Sequence, residues 1–205
     1  MVRKTKEDAE LTRQRIIDAA REMFLTYGVS RTSMEQIASQ AGVTRGAVYW
    51  HFSNKIELFH AMREQVLLPM IDRMDDTLLV KDSDDPLNCI ERFFCCTIEA
   101  LDKSTATRQT YEIMMIKCEY VDEFAAVLQQ IMSNCSSIIE KITLVYQRAQ
   151  AQGQLHPGQE PAQLAMDSHL FFIGLLNMWV KDTESKEFRY RAMDLIKAHI
   201  ALRRR

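Results

Sequence analysis

One stretch, Thr32 to Lys55, constrains this chain more than any other; it reads TSMEQIASQAGVTRGAVYWHFSNK. Thr32 and Glu35 stand in capping-box spacing, which predicts a helix starting there with a hydroxyl and a carboxylate on its first free N–H groups. Gly42 falls where that helix must stop, because a residue without a Cβ takes the left-handed conformation freely. Thr44 then offers a hydroxyl to cap a second helix, Arg45 to His51, of about two turns. Ile37, Ala38, Ala41, Val43, Val48 and Phe52 recur at the spacing that lets two short helices share a small core. The pattern predicts a helix-turn-helix over about residues 32–52.

The outward face of the second helix carries the chemistry. Arg45 can present two parallel donors to the O6 and N7 acceptors of guanine in a DNA major groove. Gly46 and Ala47 let backbone approach the bases, and Ala47 can meet a thymine methyl. Thr44, Tyr49 and His51 carry donors suited to phosphate oxygens, which fix register without reading sequence. Trp50 fits either a DNA contact or a core aromatic, and both readings stay open. Lys55 begins the next helix, where its ammonium and the free N–H groups together suit an anion. With Thr32 and Ser33 at the start of the first helix, the expected DNA-binding set is Thr32, Ser33, Thr44, Arg45, Gly46, Ala47, Tyr49, Trp50, His51 and Lys55.

The ordered string GVTRGAVYWHFSNK resembles the DNA-binding signature of TetR-family transcriptional repressors, especially the AcrR-like branch that controls multidrug efflux pumps. The opening MVRKTKEDAELTRQRIIDAAREMFLTYGVSRTS is similar to that family's first helix, and Lys117-Cys118-Glu119-Tyr120 resembles a short segment recurrent in the branch. The resemblance covers roughly the first quarter of the chain, that island and the overall length. It implies an all-helical homodimer with an N-terminal DNA reader and a variable, ligand-sensing C-terminal domain. It further implies a repressor that binds an inverted-repeat operator, with one or two dimers per operator left open. Such a repressor controls an efflux operon and is released by small apolar or aromatic drug-like effectors.

Charge is distributed as this reading requires. The formal net charge is −2, but residues 1–55 hold 9 Lys and Arg against 6 Asp and Glu, a net of +3. The positive end coincides with the helix-turn-helix, where phosphates would be drawn. Arg3, Lys4 and Lys6 form a short basic arm that fits either a DNA contact or a solvated tail. No early apolar run marks a signal peptide and no apolar stretch is long enough to cross a bilayer, so a cytoplasmic protein without membrane contact is expected.

Hydrophobic residues at 47% with only 6 Gly and 4 Pro suit an ordinary globular chain with little turn chemistry for sheets. Period-two alternation is absent, so the expected fold is all-α: a three-helix N-terminal domain, 1–54, and a helical bundle, 55–205, with about nine helices in all. The first helix is expected from about Asp8 to Tyr27, ended by Gly28, with Ile16, Ile17, Ala20, Met23 and Phe24 inward. A linking helix, about Lys55 to Val80, is expected to bend or break at Pro69. A charged linker, residues 81–86, precedes helical patterns at about 86–103, 105–118, 122–152, 161–181 and 186–202.

Within the bundle, Leu164, Phe171, Leu175, Met178, Trp179, Leu195, Ile196, His199 and Ile200 suggest two apolar helices that pair subunits. Monomer core is the alternative reading, and the resemblance and the geometry favour pairing. Val66, Met70, Phe93, Phe94, Thr97, Tyr111, Met115, Cys135, Ile138, His169, Phe172, Ile173 and Asn177 have the apolar character, with a few polar groups, of a drug-sized pocket. No catalytic constellation, cofactor motif or metal-ligand spacing is found, so neither an enzyme nor a bound metal or cofactor is expected. Two alternatives remain: a thiol-responsive regulator using adjacent Cys95 and Cys96, and an architectural DNA binder with no effector.

Overall fold

The computed structural model describes residues 6–80 and 83–205, with backbone alone for 67–73 and 75. Arg3 and Lys4 of the basic arm, Lys81 and Asp82 of the linker and the side chain of Met70 lie outside the described residues. The chain runs through α1 (Lys6–Tyr27), α2 (Met34–Ala41), α3 (Arg45–His51), α4 (Lys55–Leu78), α5 (Pro86–Lys103), α6 (Thr105–Glu112), α7 (Ala125–Ala151), α8 (Pro161–Lys181) and α9 (Phe188–Ala201). Among the described residues the fold is all-α, with a single isolated bridge joining Leu155 to Arg204. None of these helices is long and apolar enough to cross a membrane.

The predicted helices form, with local revisions. The 105–118 pattern divides into α6 and a wider π turn, Ile113–Lys117, and a 3-10 turn, Asp122–Phe124, precedes α7. α4 continues through Pro69 instead of breaking there. Ser33, rather than Thr32, caps α2: its hydroxyl accepts from Gln36 N–H and the Gln36 side chain accepts from Ser33 N–H. The capping box is therefore one residue later than the Thr32/Glu35 spacing suggested, because Gln36 serves as well as Glu at the third helical position.

Two compact units result, one from residues 1–68 with 106–125 and one from 69–105 with 126–205. In the first, Ile16, Ile17, Ala20 and Phe24 of α1 are buried, as are Ile37, Ala38, Ala41, Val48 and Phe52 of the helix-turn-helix. Phe59 of α4 lies between Phe24, 6.3 Å away, and Phe124, 5.3 Å away and edge-on. The Lys117–Tyr120 island belongs to this unit. Lys117 C=O accepts from Val29 N–H at 2.9 Å, beside the left-handed Gly28, and Tyr120 Oη donates to Met114 C=O at 2.8 Å.

In the second unit α9 packs on both α5 and α8. Its end is tied down by ionic contacts, not left as a basic tail. Arg203 pairs with Asp167, and Arg204 donates to both oxygens of Asp85, at 2.8 and 3.0 Å. Asp85 also caps α5 through Asn88 N–H. Burial alone would raise the Asp85 pKa, but the hydrogen bond from Arg204, with the backbone bonds, holds it below the usual carboxylate range.

A polar chain runs through the packed helices α7, α8 and α9. Tyr146 Oη lies 2.7 Å from Ser168 Oγ, which lies 3.0 Å from His199 Nε2, and all three residues are buried. Arg203 Nη2 also reaches Nε2, at 3.3 Å. Guanidinium only donates, so Nε2 must accept and the imidazole proton sits on Nδ1. Phe171 stacks on the ring at 4.0 Å.

Burial, then the Arg203 charge, pushes the His199 pKa down to about 4, against an upward pull from Asp167. Since the unfolded imidazole titrates near its ordinary 6.5, the unfolded chain binds the extra proton between these values, and stability is lost as pH falls from 6.5 to about 4. The loss attributable to this group is on the order of 3 kcal/mol. Urea unfolding midpoints across that range, at fixed protein concentration, should fall more steeply for the parent than for His199→Gln. Equal slopes would refute the assignment.

Candidate DNA-reading site

The site is built by three short-range devices. Gly42, at φ 63°, ends α2 in the left-handed region, with Val43 N–H donating to Ala38 C=O at 3.0 Å; this is the Schellman closure that glycine permits. Thr44 caps α3, its hydroxyl accepting from Ala47 N–H at 3.2 Å. Val48 and Phe52 anchor the inner side, fully buried. A helix of seven residues has little stability of its own, so these anchors and caps hold α3 in place.

Its outer face is open. Tyr49 is 41% and Trp50 73% exposed, which resolves the position of Trp50 against core packing; its indole meets the His51 ring edge-on at 4.5 Å. Gly46 is exposed, and Ala47 and His51 are half-buried. The Arg45 side chain is 67% exposed, with Nε 3.0 Å from Glu35 Oε1 and the guanidinium 5.3 Å from the Tyr49 ring centre. Between α1 and α3 lies a cleft of about 420 Å³ lined by Ala9, Thr12, Gly46, Ala47, Trp50 and His51. The face thus combines a cationic fork, aromatic donors and a close-approach backbone, which suits a duplex groove.

Two residues of the expected set are placed differently. Thr32 is buried and its hydroxyl donates to Gly28 C=O at 2.8 Å, so its side chain serves the turn. Lys55 Nζ donates to Ser30 C=O at 3.3 Å and Thr32 C=O at 3.2 Å. The start of α4 is also closed by side chains, with Asn54 Oδ1 on Glu57 N–H and Glu57 Oε2 on Ser53 N–H. Lys55 is a strut beneath the turn into α2, because backbone carbonyls lie within its reach; sequence spacing cannot show such neighbours. Ser33 is exposed, with its hydroxyl engaged in the cap.

The second unit revises the interface and pocket sets. Leu164, Leu175, Trp179, Ile196, His199 and Ile200 are buried within the protomer; Arg189 lies over the Trp179 ring at 4.4 Å. The exposed apolar positions include Met166, Leu170, Ile173 and Met178 on α8, with Leu195 and Leu202 near the end of the chain. Of the expected interface set only Met178, Leu195 and the half-buried Phe171 share that exposure. α8 is apolar on nearly all sides, so periodicity alone cannot choose its outward face. Spacing of i, i+4 and i+7 from Met166 was the available signal.

Ile173 faces outward and therefore leaves the pocket set. Phe93, Phe94 and Phe172 come together, Phe94 stacked on Phe172 at 4.1 Å, and Thr97 and His169 are buried. Thr97 Oγ1 donates to Phe93 C=O, while Cys135, Ile138 and Asn177 are half-buried. Val66, Tyr111 and Met115 belong to the first unit; Val66 and Tyr111 are buried and Met115 half-buried. All five cysteines are free. Burial pushes Cys95 and Cys118 up to about 11 and raises Cys135, so these stay thiols at neutral pH and are poor nucleophiles.

Comparison with known proteins agrees with this geometry. Residues 16–62 match the family of bacterial regulatory proteins of the tetR type, and residues 85–204 match the C-terminal region of MAATS-type transcriptional repressors. The chain is 38% identical over 181 residues to the HTH-type transcriptional regulator TtgR of Pseudomonas putida, covering 88% of this chain and 85% of that protein. It superposes on NalD, the secondary repressor of the MexAB-OprM multidrug efflux pump in Pseudomonas aeruginosa, with a TM-score of 0.86 and 36% identity, covering 98% and 99% of the two chains. A complex of triclosan with SmeT, the repressor of the Stenotrophomonas maltophilia SmeDEF pump, gives a TM-score of 0.81 at 28% identity, covering 95% and 92%.

Arg45→Ala should lose about 1–3 kcal/mol of binding at one base position and relax preference there, measured against duplexes varied one base pair at a time. Lys55→Ala should lower folding stability by about 1 kcal/mol, read from urea unfolding. Its slope of log affinity on log salt should hardly change. A slope shallower by roughly 0.9 at unchanged stability would mean that the ammonium leaves the carbonyls for a phosphate.

Proposed function

The chain belongs to the TetR family of bacterial regulatory proteins, and on that premise we propose that it is a ligand-responsive repressor of a multidrug efflux operon. A homodimer binds an inverted-repeat operator, and a small apolar or aromatic effector releases it. The observation that carries the reading is the open outer face of α3, where Arg45, Tyr49 and Trp50 project from a helix fixed by Thr44, Val48 and Phe52. A single short helix discriminates few base pairs, so two copies about one helical turn apart supply the specificity.

Residues 1–54 are proposed as the reader and 55–205 as the sensing and pairing domain. The outward apolar positions on α8, with Leu195 and Leu202, form the isologous interface. The aromatic group Phe93, Phe94 and Phe172 supplies walls suited to a drug-like molecule once side chains repack, and the chain's 12 Met add deformable surface that tolerates varied shapes. α4 links the two roles and is the natural lever. The protein acts in the cytoplasm and transforms no substrate; the effector is recovered unchanged.

Release requires the effector to prefer the DNA-incompetent conformation, since equal affinity for both states shifts nothing. A duplex selected by the protein from a randomised inverted-repeat pool should bind a dimer. Saturation with triclosan, or another of a panel of apolar aromatic drugs, should weaken it roughly 5–150-fold. Unchanged affinity across a panel that demonstrably binds the protein removes the switch.

A further inference from the structure

We infer that Glu35 positions Arg45 for base reading, an inference that rests on the DNA-reading function proposed above. Glu35 occupies the second position of α2, and the Ser33–Gln36 capping box fixes where that helix starts. Its Oε1 lies 3.0 Å from Arg45 Nε across the turn, an ion pair. The ionic contact falls at Nε, the innermost of the guanidinium nitrogens. Both terminal nitrogens, the pair that addresses guanine O6 and N7, remain free of this contact. The Tyr49 ring, 5.3 Å from the guanidinium carbon, supports the group from a second direction.

The pair does not serve chiefly to hold the fold. Its side chains are 67% and 48% exposed, and exposed ion pairs contribute little to stability. Its consequence lies in binding: a long side chain that is already oriented loses less freedom when it docks. The pairing also masks a carboxylate that would otherwise repel phosphates beside the reading helix. Two other roles make different demands. An acid in the first turn of α2 interacts favourably with the helix dipole whatever Arg45 does. A carboxylate that itself accepted from a cytosine amino group would govern a different base pair.

The test uses the full chain and a duplex that it selects from a randomised inverted-repeat pool. Arg45→Ala first identifies the guanine whose preference it relaxes. That guanine is then replaced by 7-deazaguanine, which removes the N7 acceptor. The parent should prefer guanine by roughly 10-fold or more. Glu35→Ala should erase most of that preference while leaving thermal unfolding and random-duplex binding nearly unchanged. Glu35→Gln should lose it as Glu35→Ala does, because the contact is ionic and the amide carries no charge. Glu35→Ala in the Arg45→Ala background should change nothing further at that position.

The inference is overturned if either Glu35→Ala or Glu35→Gln keeps the parent's preference. It is also overturned if the lost preference lies at another base pair, in which case Glu35 reads that pair itself. Should Arg45→Ala relax no position at all, the Arg45 reading fails first, and that result appears before any Glu35 variant is made.

Discussion

Between α2 and α3 the chain reverses through one left-handed residue, and the reading face depends on that reversal. Gly42 adopts φ 63°, and a Cβ there would lie 3.3 Å from Arg15 Nη2. Arg15 donates from that nitrogen to Ala41 C=O at 2.6 Å, so α1 clamps the last carbonyls of α2 at the place where the chain turns. With the turn fixed, Thr44 is placed to cap, and Val48 and Phe52 are carried into the core. Arg45, Gly46, Tyr49 and Trp50 are left outward by elimination. A side chain at position 42 would be strained both by its own backbone and by the arginine that completes the turn.

The same logic runs through the supports of the first unit. Thr32 and Lys55 both serve the turn into α2, one through Gly28 C=O and the other through the carbonyls of Ser30 and Thr32 itself. Val29 N–H reaches Lys117 C=O from the other side. Polar groups that sequence spacing directs toward DNA are therefore partly consumed in satisfying backbone that no helix covers. The exposed face proposed to read DNA is correspondingly narrower, with Arg45 lying beside Glu35 and Tyr49.

In the second unit charge and polarity are placed where helices meet. Asp85 caps α5 and receives Arg204, closing the unit between its first and last helices. The Tyr146–Ser168–His199 chain satisfies buried polar groups across α7, α8 and α9. Such a network specifies one packing arrangement, because any slip leaves a buried donor or acceptor unpaired. Met166, Leu170, Ile173, Met178, Leu195 and Leu202 remain exposed outside that packing.

How much of this was legible in the residues follows from the range of the interactions. Helix type, the Gly42 stop, the Thr44 cap and the buried stripe through Ile37, Val48 and Phe52 are set by neighbours within a turn or two, and the sequence by itself determined them. The ordered motif around Arg45 likewise carried the family. Tertiary structure alone decided which side of the nearly all-apolar α8 faces out, that Lys55 spends its charge on backbone carbonyls, and that the Lys117–Tyr120 island braces Val29. It also decided that Glu35 meets Arg45. Those outcomes depend on which groups become neighbours across many residues of intervening chain, and periodicity records only a helix's own faces, not what is laid against them.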